Sequence, residues 1–500
     1  MTPATLIRRV RLVDLSGDGS PATGSGEVDV AIARGRITAV APRLQPAGDQ
    51  AVIDGEGRWA LPGLWDAHVH LGQWSLGRSR VDVSSADSAP AAAALMAAAL
   101  GRPGVSDLVV GAGYRSPTWP EPPTVDALDR ATGQRPVVLI SGDCHNGWLN
   151  SAALARFGLA PRAGVLLEAE WFAVLADVVA AELAQAGPRS YAAAQQEAAR
   201  RGVVGVIDYE FEPGFRRWPE RYAATGLLRV QTSVYPDDLH EAIASGVRSG
   251  DVLAGRDGAP MLTMGSLKII SDGSLNTRTA RCVEPYPNAD GLAEAHGVQN
   301  YDLDALTQLL AQARAHGLTA AVHAIGDAAV STALDAFEAT GATGSLEHAQ
   351  LMATADVSRL ARLGLTASVQ PAHLLDDRAV THQLWPDRAD RCFPFASLAA
   401  AGVRLAFGSD APVAPLDPWL AIAAAVHRGD PDDAPWNPAQ ALSPVQALAA
   451  SVRGRIAPGE PGDLVLLDDD PLCPDFSSAE AARRLRRMDV WATVISGVPA

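Results

Sequence analysis

Five hundred residues, of which 48% are hydrophobic and 20% charged, can bury a large core, and the chain is too apolar to be disordered. A formal net charge of −16 leaves no basic footprint for nucleic acid or an anionic membrane surface. Cys144, Cys282, Cys392 and Cys473 stand far apart with no CxxC pair, which argues against a disulfide framework and against a cysteine-only metal site.

The chain opens with MTPATLIRRVRLVDLSGDG, in which no apolar run follows the basic residues. No stretch of about 18 apolar residues occurs anywhere, so a cytoplasmic protein away from the membrane is expected. Its expected partner is a small-molecule substrate, and a homo-oligomer is compatible with this reading. Residues 1–60 read as short strands broken by Gly, Pro and Asp: TLIRRVRLVDL, GEVDVAIARGRITAVAP and QAVIDGEGRWALPG. The last 50 residues, 451–500, resume that style in GDLVLLDDDP and VWATVISGVPA. The two ends are expected to pair into one small β-domain.

Residues 61–450 alternate short apolar runs with Ala-rich helical stretches. The runs are GLWDAHVH, RPVVLISGD, GVVGVIDYE, LLRVQTSVY, GSLKIISDG, LTAAVHAIGD, SLEHAQ, LTASVQP and VRLAFGSDAP. The helical stretches include SAPAAAALMAAALG, YAAAQQEAARRG, DLDALTQLLAQARAHG and STALDAFEATG. Strand-then-helix repetition predicts an α/β fold with parallel strands inside and helices outside, and about eight such units fit a (β/α)8 TIM barrel with an insertion. A doubly wound open sheet is disfavoured, because no GxGxxG follows an early strand.

Polar residues close these runs, and in a barrel the C-terminal strand ends form the active face. GLWDAHVH ends in His68 and His70; a strand has a period of two, so both imidazoles point to one side, as a metal pair requires. Asp66 on the same face is a candidate to orient a histidine through its second ring nitrogen. Lys268 follows, then His323, His348 and Asp410, each after an apolar run. Only 11 histidines occur in the chain, and four of them occupy such positions. These nitrogen and oxygen donors suit zinc, and after it manganese, iron or nickel. Lys268 is the only lysine; every other basic residue is arginine. A buried lysine amine can lose its proton and form a Schiff base or, with CO2, a carbamate, whereas guanidinium stays charged. A lysine paired with an acidic neighbour such as Asp272 is the plain alternative.

The chain resembles the amidohydrolase superfamily, in particular amidohydrolase family 3 with its N-substituted formamide deformylases. The resemblance rests on PGLWDAHVHL, WPEPPTVDALDRA, SGDCHNGWLNSAAL, GSLKIISDGSLNTRTA, VHAIGDAAV, LEHAQLM, VQPAHLLDD and GSDAPVAPLDPW, and it covers nearly the whole length. It implies a metal-binding (β/α)8 barrel with a small β-sandwich built from both termini. It also implies His68 and His70 as ligands on strand 1 and Lys268 as a carboxylated bridging ligand on strand 4. His323, His348 and Asp410 are then ligands on strands 5, 6 and 8, holding one or two divalent ions. Near the substrate the resemblance places Asp143, His145, Glu168, Gln370 and His373, with His145 a candidate for the substrate carbonyl. Arg278 is a candidate for a substrate carboxylate and equally for a structural ion pair. The segment after Glu168, and the connector from SVRGRIAPGEP into GDLVLL, are shorter than the family's pattern.

The expected chemistry is hydrolysis of a non-peptide C–N bond in a linear amide, an N-formyl amine or an N-acyl amine. Water acidified by metal attacks the carbonyl, and Asp410 takes its proton and returns it to the leaving nitrogen. In its GSDAP setting Asp410 would also serve as a helix N-cap. A cyclic-amide or imidazolone hydrolase, a deaminase, a Schiff-base enzyme and a silent barrel scaffold are the competing readings. Against the deaminase, His323 is followed by AIGD and not by an HxGE-like stretch. Cys144 is read as packing. His240, His296, His316, His382 and His427 are read as solvated. Some of Trp74, Trp119, Trp148, Trp385 and Trp436 are expected to wall an apolar pocket.

Overall fold

The computed structural model describes residues 4–16, 26–48, 50–77, 79–101, 107–287, 289, 294–473 and 475–500. Parts of the opening stretch (1–3 and 17–19) lie outside them. Eight parallel strands run in one sheet: Leu64–Val69, Val203–Asp208, Arg229–Val234, Ala259–Ile270, Ala320–Ala324, Gly344–His348, Thr366–Val369 and Arg404–Phe407, here numbered barrel strands 1 to 8. A parallel bridge between Val69 and Ala411 joins the last strand end to the first, and the Asp410 amide donates to the His68 carbonyl at 2.7 Å. The sheet thereby closes as a (β/α)8 barrel.

Strands covered on both faces have to be apolar throughout. Ala320–Ala324 is buried at every position, and Val203, Val204 and Val206 have no exposed surface. Outside the strands, the Ala-rich stretches form helices whose starts are capped as their sequences suggest. Ser88 accepts from the Ala91 amide ahead of Ala89–Leu100, and Asp302 accepts from Ala305 ahead of Leu303–Ala315. Asp327–Thr340 packs Leu334 and Phe337 into the core with no exposed surface. Among the described residues no helix is long and apolar enough to cross a membrane.

Eight of the nine apolar runs become barrel strands. RPVVLISGD does not: Val137–Ser141 lies at the centre of a separate five-stranded sheet inserted between barrel strands 1 and 2. Local sequence cannot separate the two cases, because a strand buried in either sheet reads as the same apolar run. The inserted sheet carries the segment 141–149 to the barrel mouth, and helices Glu168–Ala186 and Pro188–Arg200 return the chain to strand 2.

Strands from both termini form a further sheet. Trp59–Pro62 pairs with Leu464–Leu467, which pairs in turn with Val490–Ile495. Thr5–Leu12 changes partner midway, from Ala51–Asp54 to Trp59–Pro62, beside Arg9 at φ 53°. Such a bend lets one strand serve two leaves, and Ile7, Val30, Leu464, Leu466 and Val494 fill the space between them. The short connector after helix Pro444–Ala450 is stitched to the barrel: the Trp65 amide donates to the Ser451 carbonyl at 2.8 Å.

Candidate active site

At the C-terminal mouth of the barrel, strand 1 delivers His68 and His70, strand 4 Lys268, strand 5 His323 and strand 6 His348; Asp410 follows strand 8. All six are buried. Single donor atoms of His68, His348 and Asp410 lie within 4.8 Å of one another. His68 Nε2 and His70 Nε2 each stand 3.4 Å from Asp410 Oδ1. The His323 and His348 rings are 4.5 Å apart between centroids, and those of His68 and His348 5.0 Å.

Burial dominates the electrostatics. It drives His68, His323 and His348 well below the usual histidine range, and the neighbouring imidazoles and Lys268 add to the effect. The rings are therefore uncharged at neutral pH, the form that binds metal. The Nδ1 atoms of His70 and His348 are buried without a hydrogen-bond partner among the described residues. Burial raises the Asp410 carboxyl, but His70, His373 and Lys268 outweigh it and hold the group below its ordinary value. Uncharged imidazoles, orphaned ring nitrogens and an ionised carboxylate make a donor set that fits a divalent cation. His348 and Asp410 both adopt left-handed backbone, at φ 68° and 58°, as do Cys144 and Glu168 nearby. Such strain costs on the order of 1 kcal/mol or more per residue and collects at functional sites.

His68 is oriented by Glu347, not by Asp66. Its Nδ1 lies 2.7 Å from Glu347 Oε2, and neither side chain is more than 1% exposed. That contact places the proton on Nδ1 and turns the Nε2 lone pair toward Asp410. Asp66 instead accepts from the backbone amides of His68 and Ser409, tying strand 1 to the end of strand 8. Glu347 stands beside His348 in sequence, and both reach the His68 ring, the left-handed backbone at His348 breaking the strand's alternation; a carboxylate inside an apolar run was the signal available for Glu347.

Lys268 is fully buried, with Nζ 4.7 Å from the Tyr209 ring centroid. Burial lowers its ammonium to about 8, against the pull of Glu347 and Asp410, so a fraction of the amine is neutral near physiological pH. The Asp272 carboxylate accepts from the amides of Arg281, Ile325 and Gly326 and also lies 3.4 Å from His323 Nε2. Strand 2 ends in Asp208, and Tyr209 and Glu210 follow it; none of the three is among the residues expected at the site. Asp208 accepts from the Leu71 amide and Glu210 from the Gln73 amide, which fixes the helix Leu71–Leu76 directly behind His70. The polar ending of GVVGVIDYE was their signal.

The inserted segment brings Asp143 and His145 to the same cavity. Asp143 accepts from Ser141 and Ser274 hydroxyls, each at 2.6 Å. Glu168 Oε2 lies 3.0 Å from His145 Nδ1. Burial opposes charge on His145, but Glu168, helped by Asp143 and Asp410, raises it to about 9. His373 lines the adjoining pocket, 3.9 Å from Asp410 Oδ2. Glu168 is buried and reaches the cavity through His145. Gln370 is also buried, its amide near the Ser368 carbonyl, and it is absent from the residues lining the described cavities. Arg278 is exposed and likewise lines none of them. Of the histidines read as solvated, His427 is buried, between Ser478 Oγ at 3.0 Å and the Asp433 carbonyl at 3.1 Å.

A family model described as amidohydrolase family matches residues 51–500. Protein LONG AFTER FAR-RED 3 of Arabidopsis thaliana is 29% identical over 482 residues, covering 85% of this chain and 81% of that one. Putative amidohydrolase YtcJ of Bacillus subtilis is 29% identical over 483 residues, covering 87% and 88%. N-substituted formamide deformylase of Arthrobacter pascens is 25% identical over 546 residues, covering 99% and 98%. The solved structure of an uncharacterized metal-dependent hydrolase from Pyrococcus horikoshii shares the fold, with a TM-score of 0.73 at 23% identity over 94% of this chain and 98% of that one. A family match running from the terminal sheet through the whole barrel agrees with a mouth built of histidines, one lysine and one aspartate, and the chain belongs to the amidohydrolase family.

Proposed function

We propose that the protein hydrolyses a non-peptide carbon–nitrogen bond in a linear amide of the N-formyl or N-acyl amine type. The observation that carries this is the convergence of uncharged His68 and His348 on ionised Asp410, with His70, Lys268 and His323 around them. End-to-end similarity to a protein named N-substituted formamide deformylase supports the substrate class.

His68, His70, His323, His348 and Asp410 would hold one or two divalent ions, zinc by the nitrogen-rich donor set. When bound, such a cation acidifies water and polarises a carbonyl. The remaining tasks fall to side chains. Asp410 accepts the proton of the attacking water and delivers it to the leaving nitrogen. His145, kept protonated by Glu168, donates to the carbonyl oxygen as charge develops there. Lys268, once carboxylated by CO2, would present two oxygens where its amine presents one nitrogen. Glu347 holds His68 in a single tautomer.

The test is elemental analysis beside turnover of simple N-formyl amines, on protein purified without chelators and supplied with bicarbonate. Wild type should carry metal and hydrolyse the amide; Lys268→Ala should lose metal, and Lys268→Arg should fold but be inactive. Full turnover in Lys268→Arg would remove the carbamate role.

A further inference from the structure

Gln73 lies three residues after His70, on the helix Leu71–Leu76, and it lines the cavity that holds His68, Lys268 and Asp410. It is 1% exposed. Its side-chain nitrogen stands 3.2 Å from Glu210 Oε1, and its backbone amide donates to Glu210 Oε2 at 2.8 Å. The Phe211 amide also donates to Glu210 Oε1, at 3.2 Å. A carboxylate held by such donors only accepts, so the nitrogen end of the Gln73 side chain is the end that meets Glu210. The other end, Oε1, is buried with no hydrogen-bond partner among the described residues. An acceptor in that state costs stability unless something that binds there satisfies it.

The other polar groups of the cavity are engaged. His70 and His348 also carry unpartnered buried atoms, but these are ring nitrogens of the expected ligands. Asp143 accepts from the Ser141 and Ser274 hydroxyls and from the His145 amide. Asp410 has the water proton to take, and protonated His145 is a donor. Gln73 alone offers a neutral, uncommitted acceptor. Its position is fixed as well: a Cβ at Gly72 would lie 2.6 Å from Glu210 Oε2 and 2.7 Å from Tyr191 Oη, so only glycine lets this helix sit so close to Glu210. An amide whose nitrogen carries a single substituent brings one carbonyl oxygen to accept and one N–H to donate.

Resting on the amide-hydrolysis reading, the structure assigns Gln73 as a substrate-binding residue whose Oε1 accepts the N–H of the scissile amide. His145 then holds the carbonyl oxygen and Gln73 the nitrogen, which fixes how the amide group is turned in the cavity. The Gln73 bond strengthens as the leaving nitrogen gains a proton and positive charge, so it favours the transition state over the bound substrate. A tertiary amide has no N–H and leaves Oε1 buried and unpaired, so the site discriminates against it.

The experiment compares N-butylformamide with N-butyl-N-methylformamide on metal-loaded wild type and Gln73→Met, which keeps the side chain's length and removes its carbonyl oxygen. In wild type, kcat/KM should favour the secondary amide by about 10- to 100-fold, the effect of stranding a buried acceptor. In Gln73→Met that preference should shrink at least about threefold, chiefly through loss on the secondary amide, with metal content by elemental analysis at the wild-type level. A smaller wild-type preference, or one that Gln73→Met leaves intact, overturns the assignment. So does an equal loss on both amides, which makes Gln73 a packing residue, or a further ligand if metal is lost too. Should Gln73→Met not fold, Gln73→Leu takes its place, and the wild-type comparison stands by itself. If wild type cleaves neither amide, the amide-hydrolysis reading falls by itself. Gln73 is then judged by thermal shift with the two formamides: stabilisation of wild type by the secondary amide alone, absent in Gln73→Met, upholds the assignment, and equal or no stabilisation refutes it.

Discussion

Glu347 shows how much one buried carboxylate decides. It has no exposed surface, holds His68 Nδ1 at 2.7 Å and lies 3.4 Å from the Tyr209 hydroxyl, beneath the ring that faces Lys268. Replacing it with Gln keeps its shape and removes its charge. Partners that orient a ligating histidine typically account for about 10- to 100-fold in metal affinity. Glu347→Gln should therefore weaken metal binding at least about tenfold while thermal unfolding of the metal-free protein changes little. Metal titration followed by competition with a chelator reads this, and unchanged affinity would reduce Glu347 to a packing residue. Burial pushes the Cys144 thiol up, away from thiolate chemistry.

At the scale of elements, the seam between barrel strands 8 and 1 sets the site. Gly408 donates to the Val369 carbonyl at 3.0 Å, and a Cβ at this position would lie 2.6 Å from His68 Cβ and 2.7 Å from the His68 amide nitrogen. His68 and His70 lie on or just after strand 1, and Asp410 follows strand 8, so three of the six candidate ligands meet at this seam. Gly408→Ala should push strand 8 from strand 1, costing about 1–3 kcal/mol by overpacking and separating Asp410 from His68. A lowered Tm together with reduced metal content is expected; wild-type values of both would show that the seam yields without moving the ligands.

For the whole molecule, the terminal sheet is bound to the barrel by a buried ion pair. Arg229, on barrel strand 3, meets Asp463 Oδ1 at 3.0 Å and Ser496 Oγ at 2.8 Å, and Asp463 also accepts from the Ser496 amide at 2.7 Å. Both charged residues are less than 9% exposed. Removing one partner of such a pair leaves an uncompensated buried charge, at about 3–5 kcal/mol. Asp463→Ala should lower the unfolding free energy measured in urea by that amount without touching the mouth of the barrel. A loss under about 1 kcal/mol would mean that the two parts are held by apolar packing alone.

The sequence by itself determined the barrel and which polar residues close its strands at the mouth. Parallel strands covered on both faces must be apolar, so a polar residue at a strand end stands out, and His68, His70, Lys268, His323, His348 and Asp410 all carry that mark. Tertiary structure decided the rest, because contacts between distant segments leave no local trace. RPVVLISGD reads like a barrel strand yet lies in the inserted sheet, since burial on both faces looks the same in either place. Glu347, not Asp66, reaches the ring of His68, a choice made by the packing of strand 6 against strand 5 and across the barrel. Arg278 is exposed, and a cleft beside Trp74 exists only because an insertion leaving strand 1 folds back over the loop that leaves strand 8.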